Sequence, residues 1–189
     1  MRRLLLSGLV TVLLAGCAGP PLKLYTLNVP SSVAETAPLG QSAVVIQVVR
    51  VTLPDELDSQ DIVYRDGDIL HRSQVGRWAS RLSLGITDRL TERLAARRPD
   101  ALVTDQPPAA TPTYRVVINI SRLDVTAAGS ATLDADWTIV PRDAAQPVLR
   151  DRVRLSAAGP VATDQDVVAL VSGLLDRLAA AIDINRLGG

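Results

Sequence analysis

Between Val44 and Val51 nearly every position is apolar, and most side chains are β-branched. That pattern predicts a central strand covered on both faces rather than an edge strand. Pro54 has no N–H to give to a ladder, so the strand must end before it. Two short β-type runs follow, Ile62–Arg65 and Ile69–Arg72, with Asp66-Gly67 between them. An Asp-Gly pair flanked this way predicts a hairpin. The apolar spacing then changes from two to four: Trp78, Leu82, Ile86, Leu90 and Leu94, with Val75 and Ala79 beside them. This predicts a helix over about 75–96, opened by Arg77-Trp78-Ala79, with Arg81, Asp88, Arg89, Glu92 and Arg93 facing water. Gly85 weakens its middle by about 1 kcal/mol relative to Ala. Arg97-Arg98-Pro99 ends it, the cations suiting a helix C-terminus and the proline stopping it.

The remaining pattern completes the layout. Leu22–Leu27 predicts a short edge strand, and the Pro-, Gly- and Ser-bearing stretch 28–41 a loop. Asp105–Pro112 carries three prolines and reads as a second loop. Tyr114–Val125 predicts a long strand with Val116, Ile118 and Ile120 on one face and Val117 on the other. After a turn at Ala127–Ser130, Ala131, Leu133, Ala135, Trp137 and Ile139 alternate with Thr132, Asp134, Asp136 and Thr138. Such alternation belongs to an antiparallel strand with one wet face. Val148–Ala157 predicts a further strand, whose Arg150, Asp151, Arg152 and Arg154 fit an edge that avoids aggregation. Thr163-x-x-Asp166 resembles a capping box and opens a last helix reaching Asn185, with Val167, Leu170, Val171, Leu174, Leu178 and Ile182 on its apolar face. The fold class is therefore α/β: a single-domain sandwich of a mixed, mostly antiparallel β-sheet with two long helices.

The first residues serve as an address. Arg2 and Arg3 precede a short apolar run, Leu4–Leu14, too short to span a bilayer as a helix. Leu14-Ala15-Gly16-Cys17 matches the bacterial lipobox, in which small residues precede the cut and the thiol accepts a diacylglyceryl thioether. The expected division is 1–16 as a lipoprotein signal peptide, 17–41 as lipidated N-terminus and tether, and 42–187 as the folded domain. Bacterial sorting retains lipoproteins with Asp after the lipidated cysteine in the inner membrane. Ala18 therefore points to the outer membrane, with the domain on its periplasmic face.

Composition excludes several classes. Lys and Arg balance Asp and Glu at 20 each, and loss of Arg2 and Arg3 leaves the mature part slightly acidic. No basic stripe speaks for nucleic acid. Cys17 is the single cysteine and His71 the single histidine, so no thiol nucleophile, disulfide or zinc set is expected. No catalytic residue, metal or cofactor is expected. Asp55, Glu56, Asp58 and Asp61 lack the spacing of a calcium loop and read as a solvated turn. Asp134 and Asp136 share a strand face, as glycosidase carboxylates do, but a wet sheet face explains them equally. Arg77 and Trp78 are candidate partner-contact residues; the simpler reading is a core tryptophan beside a snorkelling arginine.

One stretch carries a resemblance. Val51, Leu53, Pro54, Leu57 and Asp58, then Ile62-Val63-Tyr64-Arg65, then Arg77-Trp78-Ala79, with Tyr25-Thr26-Leu27 ahead, resemble the ABC-type transport auxiliary lipoproteins, the PqiC/YmbA family. Glu56 and Ser59 depart from that pattern, which has an aromatic or apolar residue and a basic one there. The resemblance implies a non-catalytic lipoprotein of an envelope lipid transport system. Its implied partner is a periplasm-spanning protein with MCE domains, docked to the outer membrane, and a docking ring would need a homo-oligomer. The alternative is a stand-alone periplasmic lipid-binding lipoprotein, and a hydrolase built on His71 and Asp134 is a third reading.

Overall fold

In the computed structural model, residues 21–27, 38–40, 43–185 and 187 are described. The signal segment, Cys17 and most of the predicted 28–41 loop lie outside them. The order is β1 (Lys23–Tyr25), β2 (Val45–Val48), β3 (Asp61–Asp66), β4 (Ile69–Trp78), α1 (Leu82–Arg97), β5 (Leu102–Thr104), β6 (Tyr114–Val125), β7 (Ser130–Pro141), β8 (Leu149–Ala158) and α2 (Asp164–Ala181).

The strands form two sheets. Five make a mixed sheet in the order β5-β2-β6-β7-β8, and three make a smaller one, β1-β4-β3. In the larger sheet β2 runs parallel to both β5 and β6, while β6, β7 and β8 form an antiparallel meander. Ile46, Val48, Val116, Ile118, Ile120 and Leu133 line its inner face, all without measurable exposure. Ile86, Leu90 and Leu94 on α1 and Leu174 and Leu178 on α2 complete this core. The helices cover that one face, and the opposite face of the sheet is open.

The predicted hairpin, β6, β7, the edge position of β8 and the edge strand near residue 24 are all present. Gly67 sits at the hairpin turn with φ +57, which suits glycine. Thr163 caps α2: its side chain accepts from the Asp166 N–H, and the Asp166 carboxylate accepts from the Thr163 N–H. The aspartate thus completes the box as Glu or Gln would.

Four expectations need correction, and a fifth difference is an element the sequence pattern lacks. The strand read at Val44–Val51 is regular only over Val45–Val48 and alternates between buried and half-buried residues, because helices cover one face alone. Its chain still follows β6, with Val49 N–H donating to the Val116 carbonyl and Thr52 N–H to Ile118. The break between them turns the Val51 N–H toward α1, where the Thr87 hydroxyl accepts it at 2.9 Å. Second, Arg77-Trp78-Ala79 does not open a helix. β4 runs through Trp78, held by β3 on one side and β1 on the other, and α1 begins at Leu82. The four-residue step from Trp78 to Leu82 imitates a helical repeat, but β1 is a distant partner that local spacing cannot reveal. Third, Arg89 does not face water; it is 7% exposed. Fourth, α2 ends at Ala181 rather than near Asn185. Fifth, β5 has no counterpart in the sequence pattern: three residues are too few to show alternation.

Candidate functional site

The residues of the 51–65 motif build a junction. Val51, Leu53 and Leu57 are buried, and Pro54 starts a turn in which its carbonyl accepts from the N–H groups of Leu57 and Asp58. This turn delivers Asp58 to the start of α1. The N-cap of α1 is Arg81, which has no side-chain cap bond of its own. Asp58 Oδ1 supplies one instead, accepting from the Ser83 N–H at 3.1 Å. Ser59 assists, its carbonyl accepting from the Leu82 N–H. Glu56, the other departure from the family pattern, is exposed.

Burial opposes the charge on Asp58, but the Ser83 bonds and the Arg50 and Arg81 guanidiniums outweigh it and hold the carboxyl below its usual range. A carboxyl depressed by folding stabilises the fold above its unfolded-state pKa, and that contribution is lost as pH falls through the folded value. We therefore expect the fold to weaken below about pH 4, and Asp58→Asn to flatten that decline. Asp58→Ala should cost about 1 kcal/mol at neutral pH, the usual worth of a cap. Urea unfolding at a series of pH values reads both, and an unchanged acid limb in Asp58→Asn would refute the assignment.

The N-terminal end of the domain meets the same junction. The Tyr25 carbonyl accepts from the Ala79 N–H at 2.7 Å. Two residues on, the Leu27 carbonyl accepts from Arg89 Nη1. Arg89 also forks onto Asp176 of α2, with bonds of 3.1 and 2.8 Å, and Arg93 shares that carboxylate. Further along α1, Arg97 donates to the carbonyls of Ala179 and Ile182, and Arg98 to those of Ile184 and Leu187. The cations read as suiting the end of α1 thus also satisfy the end of α2.

Trp78 is 4% exposed and lies in the core. Arg77 beside it is 31% exposed; it donates to the Ser73 and Gly76 carbonyls and pairs with Asp61. Any partner contact at this pair would have to pass through Arg77. Cys17 lies outside the described residues.

The other candidates find ordinary partners. His71 stacks on Tyr64 across the hairpin, ring centroids 5.2 Å apart. Asp134 accepts a two-bond fork from Arg154, which holds its carboxyl below the usual range and so suits it poorly as a general acid. Asp136 accepts from Asn119 at 2.9 Å. Among the described residues no three His, Cys, Asp or Glu side chains are grouped to hold a metal ion. An apolar cavity between Leu57, Val63, Leu70, Trp78 and Val171 has a volume of about 20 Å³. That is room for about one water, against roughly 300–1,000 Å³ for a small-molecule site. No described helix is long and apolar enough to cross a membrane.

The family described as "ABC-type transport auxiliary lipoprotein component" matches residues 25–183. Among curated proteins none matches. Among the crystal structures that share the fold are two that cover most of this chain. One, of an uncharacterized protein, has a TM-score of 0.68 at 16% identity and covers 86% of this chain and 97% of its own. The other, a Xanthomonas campestris protein of the DUF330 family, has a TM-score of 0.62 at 16% identity and covers 85% of this chain and 92% of its own.

Proposed function

Because this chain belongs to the ABC-type transport auxiliary lipoprotein family, we propose that it is a non-catalytic lipoprotein subunit that docks a periplasm-spanning MCE-domain partner to the outer membrane. Cys17 carries the lipid, Ala18 directs it to the outer membrane, and the domain stands on the periplasmic face. Several copies would form the docking ring. The observation that carries the reading is the family match over 25–183, with a lipobox ending at Cys17 immediately ahead of it. The apolar cavity beside Trp78, about 20 Å³, has no room for an acyl chain.

The test is a crosslinking pull-down from envelope membranes of cells carrying the tagged, lipidated protein, read by mass spectrometry. Recovery of an MCE-domain protein is the expected result. Recovery of the protein alone, or of phospholipid alone, would overturn the docking role.

A further inference from the structure

β1 and the residue just ahead of it leave two large apolar side chains in the open. Leu22 is 58% exposed and Leu24 64%. Leu24 lies within β1 and Leu22 immediately ahead of it, while Tyr25 packs onto the core. Leu24 pairs with Arg77 in the parallel β1–β4 ladder. Arg77 and the 70%-exposed Arg72 converge on the Asp61 carboxylate, and Lys23 is exposed between the leucines. A second carboxylate, Asp164, accepts from Ser73 of β4 beside Gly76, so three cations meet two carboxylates and the edge stays net positive.

Covalent reach limits how far this edge can stand from the anchor. Leu22 follows Cys17 by five residues, so their Cα atoms are at most about 18 Å apart, however the chain runs. An acylated Cys17 would sit at the headgroup–acyl boundary, and the polar layer outside the hydrocarbon is roughly 5–8 Å thick on each side. We propose that the β1 edge is a membrane-contact surface: Leu22 and Leu24 enter the headgroup layer, while Lys23 and Arg72 meet lipid phosphates. This deepens the proposed function and rests on lipidation at Cys17. The anchor then does more than tether the domain, because the leucines fix which side faces the bilayer.

The test uses the full, lipidated chain in vesicles of phosphatidylethanolamine and phosphatidylglycerol. Since acylation blocks the native thiol, Leu24→Cys and Val117→Cys each offer one site for a fluorophore. Val117, 40% exposed on the open face of the large sheet, is the control. A nitroxide on the lipid headgroup should quench the Leu24→Cys probe about threefold more than the Val117→Cys probe, as interfacial insertion requires. Equal quenching overturns the proposal, as does self-quenching between Leu24→Cys probes, which would put a second copy on the edge. Vesicle flotation and the mass of the Cys17 peptide read the anchor separately. A chain that neither floats nor carries acyl mass refutes the lipidation reading, whereas a floating, acylated chain with equal quenching refutes the contact alone.

Discussion

Gly129→Ala should lower the unfolding free energy by about 2–4 kcal/mol, more than the same change at Gly67, the other positive-φ glycine among the described residues. Gly129 has φ +82 at the β6–β7 turn, a conformation that L side chains rarely adopt. An added Cβ would also lie 2.4 Å from the Gly159 carbonyl oxygen. That obstacle is backbone, so no rotamer change relieves it. It is fixed in place because the Gly159 N–H donates to the Gly129 carbonyl at 2.9 Å. Gly67 is the internal control: its φ is +57, but nothing lies within 4 Å of an added Cβ. Gly67→Ala should therefore cost only about 1–2 kcal/mol, the backbone term alone. Urea unfolding of both variants decides the matter, and equal losses would refute the steric argument.

Arg89→Ala should cost about 2–3 kcal/mol, the range for a buried polar group that loses its charged hydrogen-bond donor. The side chain is 9% exposed and serves two elements, the Leu27 carbonyl and the Asp176 carboxylate. Its loss leaves a buried carbonyl without this donor, while Asp176, 39% exposed, keeps Arg93 and water. Asp176→Asn should accordingly cost less. Arg89→Lys keeps the charge but not the fork, and should fall between. Hydrogen exchange at the Ala79 amide, bonded to Tyr25, offers a local reading: it should speed up in Arg89→Ala beyond what the global loss predicts. An Ala79 amide that follows global stability alone would show that Arg89 does not hold the N-terminal segment.

Legibility followed the range of the interactions. β6 and β7 were readable because alternation over twelve residues is a local signal with one burial pattern. The hairpin was readable from Asp66-Gly67, and α2 from its cap. The two sheets were not, since β1 and β4 are far apart in the chain, pairing Lys23 with Gly76, and β5 is only three residues long. Arg89 looked solvent-facing by helical position, and only the nearby Leu27 carbonyl and Asp176 explain its burial. Asp58 stood in the sequence as one of four acidic residues. Its role as a cap depends on a turn that brings it to Ser83, twenty-five positions away. Where the site is a motif of packing residues, spacing identifies the motif but not the task of each member.

β1 also sets how the domain answers to tension. It runs parallel to β4 through three backbone pairs, from Lys23–Gly76 to Tyr25–Trp78. A pull on the chain ahead of Leu22, directed along the strand, strains those pairs together in shear rather than one after another. Beyond them stands the Arg89 clasp on Leu27, which ties the strand's far end to both helices. Force entering at the N-terminus therefore reaches the helical layer through the Arg89 clasp, as well as the large sheet through the Arg65–Thr126 bridge.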